Sequence, residues 1–249
     1  MWLKTPEAIE RVLWEGALEA ATDEALERLG QEWNARGIKG SPADAVRDLP
    51  MVSIGQPEVW TLPEVYPPDK MPHPLRTKLD EADFYLVRLG CSFRPRKDDS
   101  QVEWARFLVR LLPDNAGRQP VAFDLHPLTV TQEIKRNVKV SLSPSLKFAE
   151  VEGSLGGIEF GFEYAELQPI ISASGGGEAL PSWDYEQAKG AMVKGGKWMH
   201  LLVKSPKGAT TVRATIDLAA DVHVRDSRLP VLALRDQEQV GAHRTVKLA

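Results

Sequence analysis

Residues 158–164, Ile-Glu-Phe-Gly-Phe-Glu-Tyr, alternate apolar and polar side chains without a break. A period of two places one set of side chains on each face of a strand, and it does not suit a helix, whose period is 3.6. The same alternation recurs in Val138-Lys139-Val140-Ser141-Leu142, in Phe123-Asp124-Leu125-His126 and from Asp217 to Arg225. A chain written this way folds around antiparallel sheets with one buried face each.

Strand-type segments fall at 84–93, 102–112, 120–126, 129–142, 146–151, 155–164, 168–172, 192–203, 210–225 and 231–234, with a short run near Val246. Turn residues separate them: Asp98-Asp99-Ser100, Pro113-Asp114-Asn115-Ala116-Gly117, Gly156-Gly157, Gly175-Gly176-Gly177, Gly195-Gly196 and Ser205-Pro206-Lys207-Gly208. Strands at this spacing without long helices between them imply an antiparallel β-sandwich, jelly-roll-like or immunoglobulin-like. The glycine pair at 195–196 reads as a hairpin turn, and the loop 174–190 as the longest break in the β-region.

Upstream the pattern changes. Thr5-Pro6-Glu7 supplies a cap, a first-turn proline and an acid ahead of Ile9, Val12, Leu13, Trp14, Ala17 and Leu18, which fit one helical stripe. A second helix is expected from Thr22-Asp23, with Ala25, Leu26, Leu29 and Trp33 on one face and Gly37 closing it. Residues 1–37 thus read as a short helical appendage. Residues 38–82 form a connector whose many prolines argue against long helices and central strands, with one short helix after Ser41. Trp60, Leu62, Val65 and Tyr66 within it imply an ordered strap on the β-domain, which spans 83–249.

Composition narrows the functional classes. The chain has 249 residues, 43% of them hydrophobic, which is ample for a core. Its net charge of -4 argues against sequence-independent nucleic-acid binding. A single cysteine, Cys91, cannot pair within the chain, and no basic-then-apolar leader opens it; both features place the protein in the reducing cytoplasm as a soluble molecule. Apolar runs such as 107–109 and 199–203 are too short for a transmembrane helix.

Candidate chemistry is sparse. Asp124-Leu125-His126 and Asp221-Val222-His223 each put an aspartate and a histidine on one strand face, about 6.5–7 Å apart between Cα atoms. If the two strands were neighbours, four ligands could meet on Zn, Fe or Mn, and this defines a metal-dependent enzyme as an alternative. Trp183, Asp184, Tyr185, Trp198 and His200 form an aromatic set beside the glycine-rich loop, the expected partner- or ligand-binding rim. Glu159 and Glu163 lie about 13 Å apart along a strand, too far for a glycosidase pair, and Glu150 and Glu152 have no apolar pocket beside them. The run 190–198 lacks the glycine and the Ser/Thr of a phosphate loop, and no Gly-x-Ser-x-Gly, His-Glu-x-x-His or Cys-x-x-Cys occurs. Cys91, inside Leu89-Gly90-Cys91-Ser92-Phe93, reads as a small buried hydrophobe, and Arg94-Pro95-Arg96-Lys97 as a charged loop.

The sequence therefore favours a noncatalytic recognition or assembly module, an accessory protein without cofactor whose end loops bind another protein or a small ligand. A third reading is an oligomerising pore-forming protein, in which segments such as 155–164 insert as β-hairpins with Glu159, Glu163 and Lys139 toward a lumen.

Overall fold

A computed structural model of the chain describes residues 11–66, 69, 71, 73–96, 100–132, 138–141, 170–187, 193–209, 211–225, 227–233 and 245–248. Two antiparallel sheets face each other, with a small helical part, as the alternation predicts. The first sheet contains β1 (Val12–Ala17), β3 (Met51–Gly55), β4 (Glu58–Thr61), β5 (Ala82–Arg94), β7 (Val121–His126) and β12 (Gly195–Pro206). Its order is β1-β3-β5-β12-β7, with β4 also on β5.

The second sheet contains β2 (Glu19–Ala20), β6 (Ser100–Leu112), β8 (Thr129–Gln132), β9 (Val138–Ser141), β10 (Ile170–Ser174), β11 (Ser182–Glu186), β13 (Arg213–Val224), β14 (Ser227–Leu232) and β15 (Thr245–Lys247). Its order is β2-β14-β13-β6-β11-β10-β8-β9, with β15 on β13. Expected strands at 146–151 and 155–164 lie outside the described residues.

The main core lies between the sheets. Val87, Leu89, Cys91 and Phe93 of β5 and Met199, Leu201 and Val203 of β12 meet Phe107, Val109, Ile216 and Leu218 from the opposite sheet. A second, smaller core sits on the outer side of the first sheet. There Leu62, Val65, Tyr66, Met71 and Leu75 of the strap cover Phe84, Leu86 and Leu202. The strap's helices are α3 (Leu62–Val65) and α4 (His73–Arg76). β12 is thus buried on both faces, which explains why its apolar run Leu201-Leu202-Val203 does not alternate.

The N-terminal reading needs one correction. Residues 12–17 and 19–20 are strands, not a helix, with β1 paired to β3 and β2 to β14; the expected cap at 5–7 lies outside the described residues. Apolar spacing at 12, 13, 14, 17 and 18 suits a helical stripe, but Gly16 weakens a helix by about 1 kcal/mol. In the sheet the Trp14 ring lies directly over Gly16, where an added Cβ would stand 2.6 Å from it. The second expected helix is present as α1 (Asp23–Ala35): Thr22 accepts a hydrogen bond from Ala25 N–H, and Gly37 has φ +67°. Leu29 and Trp33 of α1 belong to the main core.

The connector also differs in part. The short helix expected after Ser41 is present as α2 (Pro42–Arg47), which Ser41 caps with a reciprocal Asp44 bond. β3, however, is a central strand between β1 and β5 despite the prolines around it. Pro50 and Pro57 fall just outside it, so its ladder donors are intact, and the break at Gln56-Pro57 separates it from β4. Two turn assignments change as well. Gly195-Gly196 opens β12 opposite Phe93 and Ser92 instead of forming a hairpin turn. The loop 174–190 contains β11, a strand inserted between β6 and β10.

Candidate functional site

Period two along β5 puts Arg88, Gly90 and Ser92 on the face opposite Val87, Leu89 and Cys91. Antiparallel pairing sets Trp198 against Gly90 and His200 against Arg88, while His126 of β7 stands across from His200 on the other side. On the near edge Glu58 of β4 pairs in register with Arg88, and Trp60 with Leu86. Glu58, Trp60, Arg88, His126, Trp198 and His200, six side chains from four strands, thereby share one outer face of the first sheet.

Each side chain has a physical reason to be there. Gly90 carries no Cβ, and one added there would lie 2.9 Å from the Trp198 ring. The indole therefore rests on backbone and stays 50% exposed, a large apolar surface open to solvent. The Arg88 guanidinium lies 5.1 Å from the Trp198 ring centroid and 5.4 Å from that of Trp60, and it is ion-paired with Glu58. Stacking and pairing together hold a mostly desolvated arginine in place.

His200 and His126 have ring centroids 6.0 Å apart. Burial pushes the His200 imidazole down to about 3, and the neighbouring His126 and Arg88 charges push the same way. The Tyr66 phenol is raised, mainly by burial and secondly by the Asp124 carboxylate.

Beside this cluster lies a groove of about 280 Å³ bounded by the start of β1, the β3–β4 corner and the ends of β5 and β12. Arg11, Ser53, Gln56, Ser92 and Trp198 line it, with Gly55, Gly90 and Gly196 exposing backbone. Ser53 and Ser92 hydroxyls stand 2.6 Å apart at its floor. The arrangement offers one aromatic platform and several neutral hydrogen-bonding groups, with the Glu58 carboxylate in its lining already paired to Arg88. It contains no nucleophile paired with a base: burial raises the Cys91 thiol to about 12, so it stays protonated.

The residues singled out from sequence separate into three places. Trp198 and His200 belong to the cluster just described. Trp183 and Tyr185 point into the main core, 0% and 1% exposed, and so cannot line an open rim. Asp184, between them on β11, faces outward and takes a two-pronged ion pair from Arg106 at 2.7 and 3.0 Å.

The two Asp-x-His pairs do not converge. Asp124 and His126 are buried on β7 of the first sheet, whereas Asp221 and His223 lie on β13 of the second. Asp221 is engaged by Arg228, and among the described residues no three His, Cys, Asp or Glu side chains gather as a metal-binding set. Instead, His126 finds His200. Arg88, Glu58 and Trp60 were not singled out in the sequence. The available signal was a lone arginine inside the apolar run Leu86-Val87-Arg88-Leu89, and its partners are set by pairing register alone.

The fold and this face define a two-sheet antiparallel β-protein with an aromatic–arginine cluster on one outer surface. No protein-family model matches the chain, and no curated protein sequence does. Among solved structures it is similar to the Clostridium perfringens NetB toxin in its membrane-inserted form, at 10% identity and TM-score 0.32, over 74% of this chain and 85% of that one. It is also similar to a pore-forming protein, at 10% identity and TM-score 0.36, and to Clostridium perfringens delta-toxin, at 9% and 0.35. Each of these covers 74% of this chain and 81% of its own. Similarities of this size carry no functional inference.

Proposed function

We propose that this chain is a noncatalytic assembly module that oligomerises on a lipid bilayer and inserts residues 138–165 as a β-hairpin, its share of a transmembrane barrel. The supporting observation is a double alternation in the sequence. From 138 to 148 the even positions are Val138, Val140, Leu142, Pro144, Leu146 and Phe148, and the odd ones between them are Lys139, Ser141, Ser143, Ser145 and Lys147. From 156 to 165 the even positions include Ile158, Phe160, Phe162 and Tyr164, set against Gly157, Glu159, Gly161, Glu163 and Ala165.

A tilted membrane-spanning strand needs about 9–11 residues, the length of each arm. Between the arms, Glu150 to Ser154 is a polar, glycine-containing stretch suited to a turn. Neither arm has a charge in its apolar row, while the opposite rows carry lysines on one arm and glutamates on the other. In a closed barrel those rows face the lumen and the apolar rows face lipid. One hairpin alone leaves edge N–H and C=O groups unpaired in hydrocarbon, so spanning requires several copies.

Topology supplies a suitable anchor. β9, the beginning of the first arm, pairs with β8 at the edge of the second sheet, and β8 pairs on its other side with β10, which follows the second arm. The chain thus leaves and returns two strand positions apart, roughly 10 Å laterally. Insertion of 138–165 would detach β9 from β8 and leave the pairing of β8 with β10 in place.

Dye release from liposomes tests the reading. Wild-type protein is expected to release an entrapped dye, and Phe160→Lys to bind vesicles without releasing it. A lysine in a lipid-facing row costs about 2–4 kcal/mol per copy at mid-bilayer, multiplied by the number of subunits. Unimpaired release by Phe160→Lys, or vesicle binding by the wild type without release at any protein-to-lipid ratio, would contradict it.

A further inference from the structure

We propose that the groove beside Trp198 is a carbohydrate-binding site that takes a single pyranose ring. Its chemistry is that of a sugar: a pyranose has one face of C–H groups, which packs on an aromatic plane, and a rim of hydroxyls that both donate and accept hydrogen bonds. Trp198 supplies the plane, held against Gly90 and half open to solvent. Ser53, Ser92 and Gln56 supply groups able to donate and accept, and Arg11 adds a planar fork of donors at the mouth.

Other ligand classes fit less well. A quaternary ammonium is held by several aromatic faces and an unpaired anion, whereas the groove presents Trp198 alone and its one carboxylate, Glu58, is already paired with Arg88. A phosphate group calls for convergent cations. Of the two that line the groove, Arg11 is exposed at the mouth, and Lys197 is on the inward side of β12, opposite Cys91, with burial lowering its pKa. The volume of the groove, about 280 Å³, lies at the small end of ligand pockets, which commonly span ~300–1,000 Å³. It has room for one sugar ring.

The site does not depend on bilayer insertion, since every residue in it belongs to the sandwich. If the membrane reading above holds, the groove gives such a protein its first contact with a glycan-bearing surface, and that consequence alone rests on it.

The test is saturation-transfer NMR on the full chain without lipid. The probes are the methyl glycosides of glucose, galactose, mannose and N-acetylglucosamine, with N-acetylneuraminate, phosphocholine and inorganic phosphate in parallel. Transfer to the ring C–H protons of at least one sugar is expected, with a millimolar dissociation constant. Trp198→Ala should weaken that sugar at least tenfold. Ser92→Ala, a smaller change on the groove floor, should weaken it severalfold while the melting temperature stays near wild type. It is the arm that decides if Trp198→Ala fails to fold. No transfer to any sugar, affinity unchanged in a folded Trp198→Ala or in Ser92→Ala, or displacement of a bound sugar only by phosphocholine or phosphate would each overturn the assignment.

Discussion

Acidification from pH 7 to pH 5 should destabilise this protein through one residue, His200. Its pKa falls from 6.5 to about 3 in the folded chain, first because burial penalises the imidazolium and second because His126 and Arg88 stand beside it. A group whose folded pKa is depressed binds its proton more readily when unfolded. Between pH 6.5 and 3 the unfolded state therefore takes up a proton that the folded state refuses, and stability falls as pH falls. Each unit in that window costs about 1.4 kcal/mol, so pH 5 removes about 2 kcal/mol relative to pH 7, and above pH 6.5 the contribution is flat. Against a typical total of about 5–15 kcal/mol that loss is measurable. Urea unfolding monitored by tryptophan fluorescence at pH 7.5, 6.5, 5.5 and 5.0 reads it directly. His200→Gln carries no titrating group there and should be flatter by that amount between pH 6.5 and 5. Parallel pH profiles for the two proteins would refute the reasoning.

Other perturbations address separate parts of the fold. Ser227→Ala removes the hydroxyl that accepts from the buried Trp33 indole N–H at 3.1 Å, and should cost about 1–3 kcal/mol by urea unfolding. Glu58→Gln leaves the Arg88 guanidinium without its carboxylate in a half-buried site, and a loss of about 1.5–3 kcal/mol is expected, read as a lower melting temperature. If residues 138–165 line a lumen, exchanging Glu159 and Glu163 for lysine should shift the channel's ion preference toward anions, seen as a changed reversal potential in a salt gradient.

The parts of the fold legible in the sequence are those where one local rule meets no competitor. Residues 217–225 alternate, and β13 runs through all but the last of them; Thr22 and Gly37 bracket α1 because capping chemistry is local. β1 was not legible, because the spacing of Val12, Leu13, Trp14 and Ala17 satisfies a helix as well as a strand, and only pairing with β3 decides between them. β11 was hidden for a similar reason: Ser182–Glu186 is short and bounded by loop-forming residues, and its place between β6 and β10 is a non-local fact. At the candidate site Trp198 and His200 stood out by residue type. Their partners Arg88, Glu58, Trp60 and His126 come from other strands, and strand order is not written in any one segment. The same limit joined Asp124 and His126 on paper to Asp221 and His223, which the topology assigns to the other sheet.

Planar-bilayer recording with the purified chain tests the central claim most directly. Membrane insertion of a closed oligomer predicts discrete, repeatable conductance steps that Phe160→Lys abolishes. Bilayers that bind the protein yet show no steps, or steps that persist unchanged in Phe160→Lys, would contradict it.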